Sequence, residues 1–478
     1  MKDTQKPRAL LVNPPVYDFA LYDLFLRPYG MLRIGAWLES AGWDVRYVNA
    51  LDYTDPVTSG VLGRPKRRAD GTGKFHRMPL APPKTLSGIG RGYARYGILA
   101  EELVRRLGGG EGADGTCTGR RPDAVFLATG MTYWYPGAAE AAKLIRDLYP
   151  EVPLIVGGVY ASLLPEHCRR TCGPDCIVKG EDLSGLTGFL AAKRFPAPSE
   201  PPGARTLQSV PAGDYGILRL NNGCPRDCDY CASPLLCMRF QPGNPSRVLA
   251  EFERLYLKGV RNFAFYDDAL LVAKEKVFKP FLRGIIDFLE NIPAAGRCSG
   301  RSGTVSDRPA EGVSFYLPNA VHINLLDEET ARLMMRAGFR EIRFGFESSS
   351  ERFHALHDDK YDFDDFLRAV ETCRAAGFGP GAVRAYVLCG LPKQPRQEVE
   401  RSVEYCAELG VRVHLARYSP VPGTRLWADS TRCSRYPIDE EPLYQNNTFF
   451  SMEWGGFTRD DLYRLSKKVN LINRRLGM

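Results

Sequence analysis

The sequence predicts an α/β protein with a parallel α/β domain followed by a larger, partial barrel of β/α units. Three observations support this fold class. The chain has 478 residues, enough for two or three domains of about 150 residues each. Short apolar runs alternate with helical patterns along most of the chain. A proline-rich stretch that includes Pro196, Pro198, Pro201 and Pro202 interrupts this alternation and predicts a linker.

Composition narrows the class of protein further. Hydrophobic residues make up 44% and charged residues 25% of the chain, which is ordinary for a globular protein and excludes general disorder and coiled-coil architecture. The net charge of +8 is a modest excess, so nucleic-acid binding is disfavoured. No apolar run reaches the 18 or so residues of a membrane span, and the start lacks a signal-peptide pattern. We therefore expect a cytoplasmic protein without a membrane span.

The cysteines point to metal or redox chemistry. Their number, 13, is odd, and in a long chain without a secretion signal they do not describe a disulfide framework.

The first domain is predicted over residues 1–194 as a Rossmann-like parallel α/β fold. Its expected strands and helices alternate, and ligands of such sheets bind beyond the carboxyl ends of the strands. The expected strands are 9–12, 44–48, 124–128, 153–156 and 176–178, and the expected helices are 31–40, 98–107 and 137–148. An insertion at 54–94, rich in glycine, proline and basic residues, is predicted to be a solvated loop. A lid or an anion-recognising surface is the alternative.

A linker is predicted at 195–213, and six β/α units follow in a barrel domain at 214–428. Four predicted helices end on Gly259, Gly338, Gly377 or Gly410 just before a new strand, as helix-stopping glycines do. Six units are too few for a closed eight-fold barrel, so a partial (β/α)6 barrel is expected, with its active face at the carboxyl ends of the strands. The expected strands are 217–220, 262–266, 313–316, 341–346, 383–388 and 411–418. Residues 294–312 are predicted to be a surface insertion, and 429–478 a carboxyl-terminal extension with a helix at 459–476.

Three cysteines follow the first barrel strand in the loop Cys224-Pro225-Arg226-Asp227-Cys228-Asp229-Tyr230-Cys231. The spacing C-x3-C-x2-C can bring three thiolates to three corners of an iron–sulfur cubane, leaving the fourth iron without a protein ligand. An iron with a free position can bind the amino and carboxylate groups of S-adenosylmethionine (SAM) and deliver an electron to its sulfonium. A zinc site that uses Cys237 as a fourth ligand is the alternative.

This loop, in this position of a six-unit barrel, resembles that of the radical SAM superfamily. The resemblance implies a 4Fe-4S cluster on Cys224, Cys228 and Cys231, and Tyr230 matches the aromatic residue before the third cysteine. Other strand ends resemble the family's SAM-binding elements, although Asp267-Asp268 stands where the family commonly has Gly-Gly-Glu. The residues that the resemblance assigns to SAM are Tyr230, Asp267, Asp268, Glu347, Ser348, Arg384 and Gly390. For Arg384, an ion pair on the barrel exterior is the alternative.

The domain order resembles that of the radical SAM subgroup with an amino-terminal cobalamin-binding-like domain. The turns that carry this resemblance are Asn13-Pro14-Pro15, Val156-Gly157-Gly158 and Val178-Lys179-Gly180-Glu181, and it implies cobalamin near Thr129, Gly157 and Gly158. The cobalt-ligating Asp-x-His-x-x-Gly of many cobalamin domains is absent, and His76 in the insertion is expected to be a loop residue. The alternative is a Rossmann-like domain that serves as a lid or substrate platform.

The expected function is that of a radical SAM enzyme, which cleaves SAM reductively to a 5'-deoxyadenosyl radical for hydrogen abstraction. The domain order favours cobalamin-dependent methyl transfer to an unactivated centre. One alternative is a cobalamin-independent radical SAM cyclisation, rearrangement or oxidation, and another is a non-catalytic metal- or nucleic-acid-binding protein. The resemblance implies a small-molecule or peptide substrate and an external one-electron reductant such as flavodoxin or ferredoxin.

Overall fold

The computed structural model describes residues 6–87, 89–109, 121–207, 213–292, 312–448 and 457–477. The chain divides into two compact units, an amino-terminal unit of residues 1–211 with 439–449 and a carboxyl-terminal unit of residues 212–438 with 450–478. Cys117, Cys298 and nearly all of the surface insertion predicted at 294–312 lie outside the described residues.

The predicted extension at 429–478 is corrected by this division, because part of it belongs to the amino-terminal unit. Asn446 donates a hydrogen bond from Nδ2 to Oδ1 of Asp18 at 2.9 Å. Leu443 is buried against Phe19 and Tyr93. Contacts with residues more than 300 positions earlier carry no local sequence signal, which is why the segment looked like a plain extension.

The amino-terminal unit is built on a five-stranded parallel sheet, with a small antiparallel sheet beside it. The large sheet has the order β3-β1-β6-β7-β8 and the small one β2-β5-β4. The strands are β1 (Arg8–Asn13), β2 (Val16–Asp18), β3 (Asp44–Asn49), β4 (Arg77–Leu80), β5 (Tyr93–Tyr96), β6 (Ala124–Thr129), β7 (Leu154–Gly158) and β8 (Cys176–Val178). The helices are α1 (Tyr29–Ser40), α2 (Pro56–Leu62), α3 (Ala100–Leu107), α4 (Tyr135–Leu148), α5 (Val159–Leu163), α6 (Pro165–Cys172) and α7 (Ser184–Ala192).

Helices cover both faces of the parallel sheet, as the near-continuous apolar strands require. Helices α3 to α6 pack into one core, which contains Ile145 and Tyr160, and α1 and α7 pack into the other, which contains Trp37 and Leu190. The strand order reverses direction between β1 and β6, so the crevice beyond their carboxyl ends is the place where open sheets of this type bind ligands.

The insertion at 54–94 is folded, which corrects its prediction as a solvated loop. It contributes α2 and β4 and leads into β5, the central strand of the antiparallel sheet. Arg67 pairs with the buried carboxylate of Asp23 at 2.6 Å, and its guanidinium lies 3.7 Å from the centre of the Tyr53 ring. Arg67, one of the basic residues that suggested a solvated loop, therefore makes contacts within the folded unit. His76 is buried rather than exposed on a loop, with only 3% of its surface accessible.

The carboxyl-terminal unit contains the six predicted barrel strands, all parallel to their neighbours. They form two three-stranded sheets, β13-β12-β9 and β14-β15-β16, and an isolated parallel bridge between Val321 and Phe344 pairs the segment after β13 with β14. The strands of this unit are β9 (Gly216–Leu218), β10 (Asn221–Asn222), β11 (Gln241–Pro242), β12 (Asn262–Phe265), β13 (Ser314–Tyr316), β14 (Ile342–Glu347), β15 (Val383–Cys389) and β16 (Arg412–Arg417). The short β10 and β11 pair antiparallel to each other.

Helices alternate with these strands along the chain. The helices of this unit are α8 (Ser233–Leu236), α9 (Pro245–Leu257), α10 (Lys279–Asn291), α11 (Glu328–Ala337), α12 (Glu351–His357), α13 (Phe363–Ala375), α14 (Arg396–Glu408), α15 (Trp427–Cys433) and α16 (Arg459–Leu476). All four helix-ending glycines named above have φ between +64° and +111°, a conformation that L side chains rarely adopt. The predicted fold class, a Rossmann-like domain followed by a partial (β/α)6 barrel, is confirmed.

Within the described part of the chain, no helix is both long enough and apolar enough to cross a membrane.

Candidate iron–sulfur and SAM site

The cysteine loop begins where the first barrel strand ends. Asn221 and Asn222 of β10 pair with β11, so the loop starts from a fixed hairpin rather than from a free strand end. Gly223 has a φ of +71°, and a Cβ there would lie 2.9 Å from Sγ of Cys237. The backbone therefore turns sharply immediately before Cys224, with Cys237 packed beside the turn.

The three cysteines of the loop are free thiols, of which Cys228 is buried and the other two are partly exposed. Burial raises the pKa of the Cys228 thiol to about 12, and proximity of Cys231 contributes to that rise. Burial also raises the pKa of Cys224, where Cys231 again contributes. Cys231 therefore lies close enough to both Cys224 and Cys228 to raise the pKa of each.

This donor set fits a 4Fe-4S cluster. No group of three or more His, Cys, Asp or Glu side chains within the described ranges surrounds a single ion position. A cubane takes each thiolate at a different corner, so its ligands do not have to meet at one point. Positively charged iron would favour the thiolate forms that burial alone disfavours.

Ion pairs hold the loop from the side of the last barrel strand. Arg425 donates from Nε to Asp229 at 2.9 Å and from Nη1 to Asp227 at 2.8 Å. The backbone N–H of Asp229 donates to the carbonyl of His357 at 3.0 Å, and Leu426 donates to the carbonyl of Asp229 at 3.1 Å. Asp227 and Asp229, which lie between the cysteines, thus fix the loop to the segments around Arg425 and His357.

Lys360 links the cysteine loop to the end of β14. Its Nζ donates to the hydroxyl of Tyr230 and to Oε1 of Glu347, each at 3.0 Å, and the Tyr230 hydroxyl donates to Asp358 at 2.7 Å. Burial opposes the charge of Lys360, but Glu347, Cys228 and Asp358 raise its pKa. A permanent cation therefore lies next to the buried thiol of Cys228.

Glu347 has an unusual backbone conformation at the carboxyl end of β14. Its φ is +59°, and the pairing of β14 with β15 shifts register between Gly345 and Glu347. Non-glycine residues in the left-handed region store strain that often accompanies functional sites. Here the turn directs the Glu347 carboxylate to Lys360.

The two aspartates predicted to bind SAM have different surroundings. Asp267 is 2% exposed, and its carboxylate accepts backbone N–H bonds from Leu220 at 3.0 Å and Asn221 at 2.7 Å. This corrects the prediction for Asp267, because its carboxylate fixes the turn before the cysteine loop. Asp268 is exposed and close enough to Cys224 to raise the pKa of that thiol. Asp268 stays a predicted SAM contact.

Ser348 and Gly390 both follow the carboxyl ends of their strands. Ser348 is 1% exposed, and its hydroxyl bonds to Glu398 at 3.3 Å and accepts from the N–H of Ser350 at 3.2 Å, so it supports the turn from within. The N–H of Gly390 donates to Oε1 of Gln394 at 2.9 Å. Gly390 stays a prediction as a residue facing SAM.

Arg384 lies at the opposite end of the barrel, which corrects its prediction as a SAM ligand. It is the second residue of β15, whereas the predicted active face is at the other end of that strand. Its guanidinium pairs with Glu341 at 2.7 Å, in line with the ion-pair alternative. The position of a residue along its strand, and not its residue type, decides at which end of the barrel its side chain lies.

The predicted cobalamin residues lie together at the carboxyl edge of β6 and β7. Thr129 is paired in register with Gly158, and its hydroxyl donates to the carbonyl of Gly157 at 2.9 Å. A Cβ on Gly158 would overlap the Thr129 carbonyl, and one on Gly157 would lie 3.3 Å from Cβ of Val178. The neighbouring strand therefore blocks the Cβ direction of each glycine, while Gly158 itself is exposed at this edge of the sheet.

Sequence reasoning missed several residues around the cysteine loop. Lys360, Asp358 and His322 carry no recognisable motif. Nε2 of His322 lies 3.8 Å from Sγ of Cys224, and burial, followed by Lys360 and Arg226, lowers its pKa to about 4. His322 therefore faces the first cysteine as a neutral imidazole.

Residues 218–406 match the family model of the radical SAM superfamily. The uncharacterized methyltransferase PH0819 of Pyrococcus horikoshii is 22% identical over 377 residues, which cover 71% of this chain and 73% of that protein. A threonylcarbamoyladenosine tRNA methylthiotransferase of Thermotoga maritima is 23% identical, with 59% of this chain and 62% of its own length covered.

Solved structures with the same fold include two cobalamin-dependent or cobalamin-bound radical SAM proteins. The methyltransferase TsrM from Kitasatospora setae, solved with cobalamin and a [4Fe-4S] cluster, superposes with a TM-score of 0.63 at 16% identity over 90% of this chain and 75% of its own. The cobalamin-dependent enzyme OxsB superposes with a TM-score of 0.53 at 12% identity over 98% of this chain and 61% of its own.

The six-stranded barrel with three cysteines after its first strand contains a radical SAM domain, matched over residues 218–406. The likeness to TsrM and OxsB extends the shared fold to the α/β domain ahead of the barrel.

Proposed function

We propose that this protein is a cobalamin-dependent radical SAM methyltransferase acting on an unactivated centre of a small molecule or peptide. The observation that carries the proposal is the pairing of two folds in one chain. The cysteine loop follows the first strand of a six-stranded barrel, and a five-stranded parallel domain with a switch point between β1 and β6 precedes it. The similarity to TsrM over 90% of the chain supports this pairing.

The cluster, when bound to Cys224, Cys228 and Cys231, would supply one electron to SAM at its open iron. The chain's own residues shape the space around it. Lys360 holds Tyr230 and Glu347 in place, Arg425 fixes the loop, and Asp268 offers an exposed carboxylate beside Cys224. We assign Asp268 to the SAM amino group, because a carboxylate accepts the hydrogen bonds that an ammonium donates.

Cobalamin, when bound, would carry the methyl group between SAM and substrate. We place it at the carboxyl ends of β1 and β6, since open parallel sheets bind ligands where the strand order reverses. Thr129 ends β6 at this edge. This assignment depends on topology and on the shared fold.

An external one-electron reductant, of the flavodoxin or ferredoxin kind, would complete the system. Radical SAM chemistry needs such a donor, because the cluster must be reduced before SAM is cleaved.

Anaerobic reconstitution of the full chain tests the cluster assignment. We expect about four irons and four sulfides per chain and dithionite-dependent formation of 5'-deoxyadenosine. Cys228→Ala should lose both, whereas the matched Cys237→Ala should keep the iron. About one zinc without iron or sulfide, lost in Cys237→Ala, would instead establish the zinc alternative.

A second experiment tests cobalamin separately. The reconstituted protein is incubated with hydroxocobalamin, desalted and examined by visible absorption. Retention of the cobalamin chromophore and cobalamin-dependent S-adenosylhomocysteine formation are the expected results. An intact cluster that forms 5'-deoxyadenosine but retains no cobalamin would favour a cobalamin-independent cyclisation, rearrangement or oxidation.

A further inference from the structure

A basic cavity lies in the carboxyl-terminal unit, at the end of the barrel opposite the cysteine loop. Its volume is about 460 Å³, and it is lined by Arg384 of β15, Arg412 and His414 of β16, and Asn470, Asn473 and Arg474 of α16. From Arg384 to Cys389 at the other end of β15 the strand spans about 16 Å. The basic cavity is therefore separate from the site proposed for SAM.

Three arginines stand side by side at this end of the barrel. Arg343, Arg384 and Arg412 are register partners on the adjacent strands β14, β15 and β16. Like charges directly across neighbouring strands repel each other. A row of three guanidinium groups therefore needs compensating negative charge.

Glu341 supplies part of that charge. Its carboxylate pairs with Nε of Arg343 at 2.5 Å and with Nη2 of Arg384 at 2.7 Å. Arg343 also donates to the hydroxyl of Tyr386 at 3.0 Å. One carboxylate is thus shared by two arginines, while Arg412 and Arg474 add positive charge around the same cavity.

Two buried donors at the cavity have no acceptor. The Nε atoms of Arg384 and Arg412 are shielded from solvent and make no hydrogen bond with any described residue. A buried donor without a partner costs free energy, and a guanidinium donor is best satisfied by an oxyanion. Gly477 leaves room for this arrangement, because a Cβ there would overlap Nη2 of Arg412.

His414, Asn473 and the end of helix α16 also line the cavity, and they determine on which side an anion would bind. Burial and then the arginines lower the pKa of His414 to about 4, so its neutral ring can donate a hydrogen bond near pH 7. Asn473 is already bonded to both backbone groups of Val413. Helix α16 ends at the cavity, and its carbonyl end carries partial negative charge, which directs an anion towards the strands.

We propose that the basic cavity binds a phosphate group, held by Arg384 and Arg412 from the strands and by Arg474 from α16. Guanidinium forks match phosphate oxygens geometrically, and a dianion offsets more of the arginine charge than a single carboxylate does. The phosphate group can belong to free inorganic phosphate or to a small organic monoester. The site is independent of the cobalamin and SAM assignments.

The test uses the anaerobically purified full chain. Inorganic phosphate, glycerol phosphate and acetate are titrated at constant ionic strength, and binding is followed by calorimetry and by the thermal unfolding midpoint. We expect saturable binding of phosphate or its monoester, a rise in the midpoint, and little effect of acetate. The tighter of the two phosphates identifies the source of the group.

Variants decide whether the cavity is responsible. Arg412→Gln and the exposed Arg474→Gln should each weaken binding about tenfold, as expected for loss of a charge-assisted hydrogen bond. Arg332→Gln, an exposed arginine on α11, is the matched control and should bind like the wild type. Equal stabilisation by phosphate and acetate would overturn the proposal, and so would unchanged phosphate binding in Arg474→Gln.

Discussion

Nζ of Lys360 lies 3.0 Å from Oε1 of Glu347, and this pair connects the loop that carries the cysteines to the strained end of the fourth barrel strand. Both side chains are largely buried, at 13% and 12% exposure. The same Nζ reaches the hydroxyl of Tyr230. The position of the cysteine loop therefore depends on a residue 129 positions beyond its last cysteine.

Replacing Lys360 with Met should destabilise the barrel strongly. The change leaves the Glu347 carboxylate buried without its partner, and breaking one side of a buried pair costs about 3–5 kcal/mol. Urea unfolding of the protein before cluster assembly measures this. Lys276→Met, at an exposed lysine of the same unit, is the control, and an equal unfolding free energy in both variants would show that the pair contributes nothing.

Gly158→Ala should destabilise the amino-terminal unit. Gly158 has a φ of +109°, and an added Cβ would overlap the carbonyl of Thr129. We expect a loss of about 1–3 kcal/mol, typical of a strained backbone position. Gly188→Ala is the matched control, because Gly188 lies within α7 with open space beside it and alanine favours helix by up to about 1 kcal/mol. The two variants should move the thermal midpoint in opposite directions, and a shift of the same sign would contradict this account.

Asp267 should give the barrel a specific pH dependence. Burial raises the pKa of Asp267 to about 7, compared with about 3.9 in an unfolded chain. Between these values the folded chain holds a proton that the unfolded chain has released. The stabilisation from Asp267 is therefore greatest near pH 4 and is lost as the pH rises through 7.

Asp267→Asn stays neutral throughout and should lack this contribution. The difference in urea midpoint between the variant and the wild type, measured from pH 4.5 to 7.5, should shift in favour of the variant as the pH rises. A constant difference across that range would mean that Asp267 ionises in the folded state as it does in the unfolded chain.

Arg67→Ala tests whether the basic insertion is an integral part of the fold. The substitution removes the cation that pairs with Asp23, whose side chain is 1% exposed, together with the stacking on Tyr53. We expect a loss of about 3–5 kcal/mol and faster proteolysis within residues 54–94. Arg64→Ala, at an exposed position of the same insertion, should leave both unchanged. Equal protease resistance of the two variants would instead support the interpretation of the insertion as a solvated loop.

Much of the barrel was predictable because its signals are local. The fourth strand was expected at 341–346 and is found at Ile342–Glu347, and the last helix, expected at 459–476, has those bounds. Both follow from apolar periodicity, and the helix also begins at its cap Thr458, whose side chain accepts from the N–H of Asp461. The misplaced residues have a different cause. Arg384 and Asp267 were assigned by resemblance to the family's SAM-binding elements, and only the strand direction and the backbone partners decide what each contacts.

Periodicity along the chain predicts a parallel α/β domain joined to a six-stranded barrel, and the spacing of three cysteines in one loop predicts that they can bind a cluster. These conclusions need only periodicity and spacing, which are written in consecutive residues. The tertiary structure decided which charges lie beside Cys228, which aspartate stays accessible, and how Arg343, Arg384 and Arg412 come to stand in one row. These contacts join residues that are tens to hundreds of positions apart in the chain, and burial sets their strength. Neither the contacts nor the burial can be deduced from local sequence patterns.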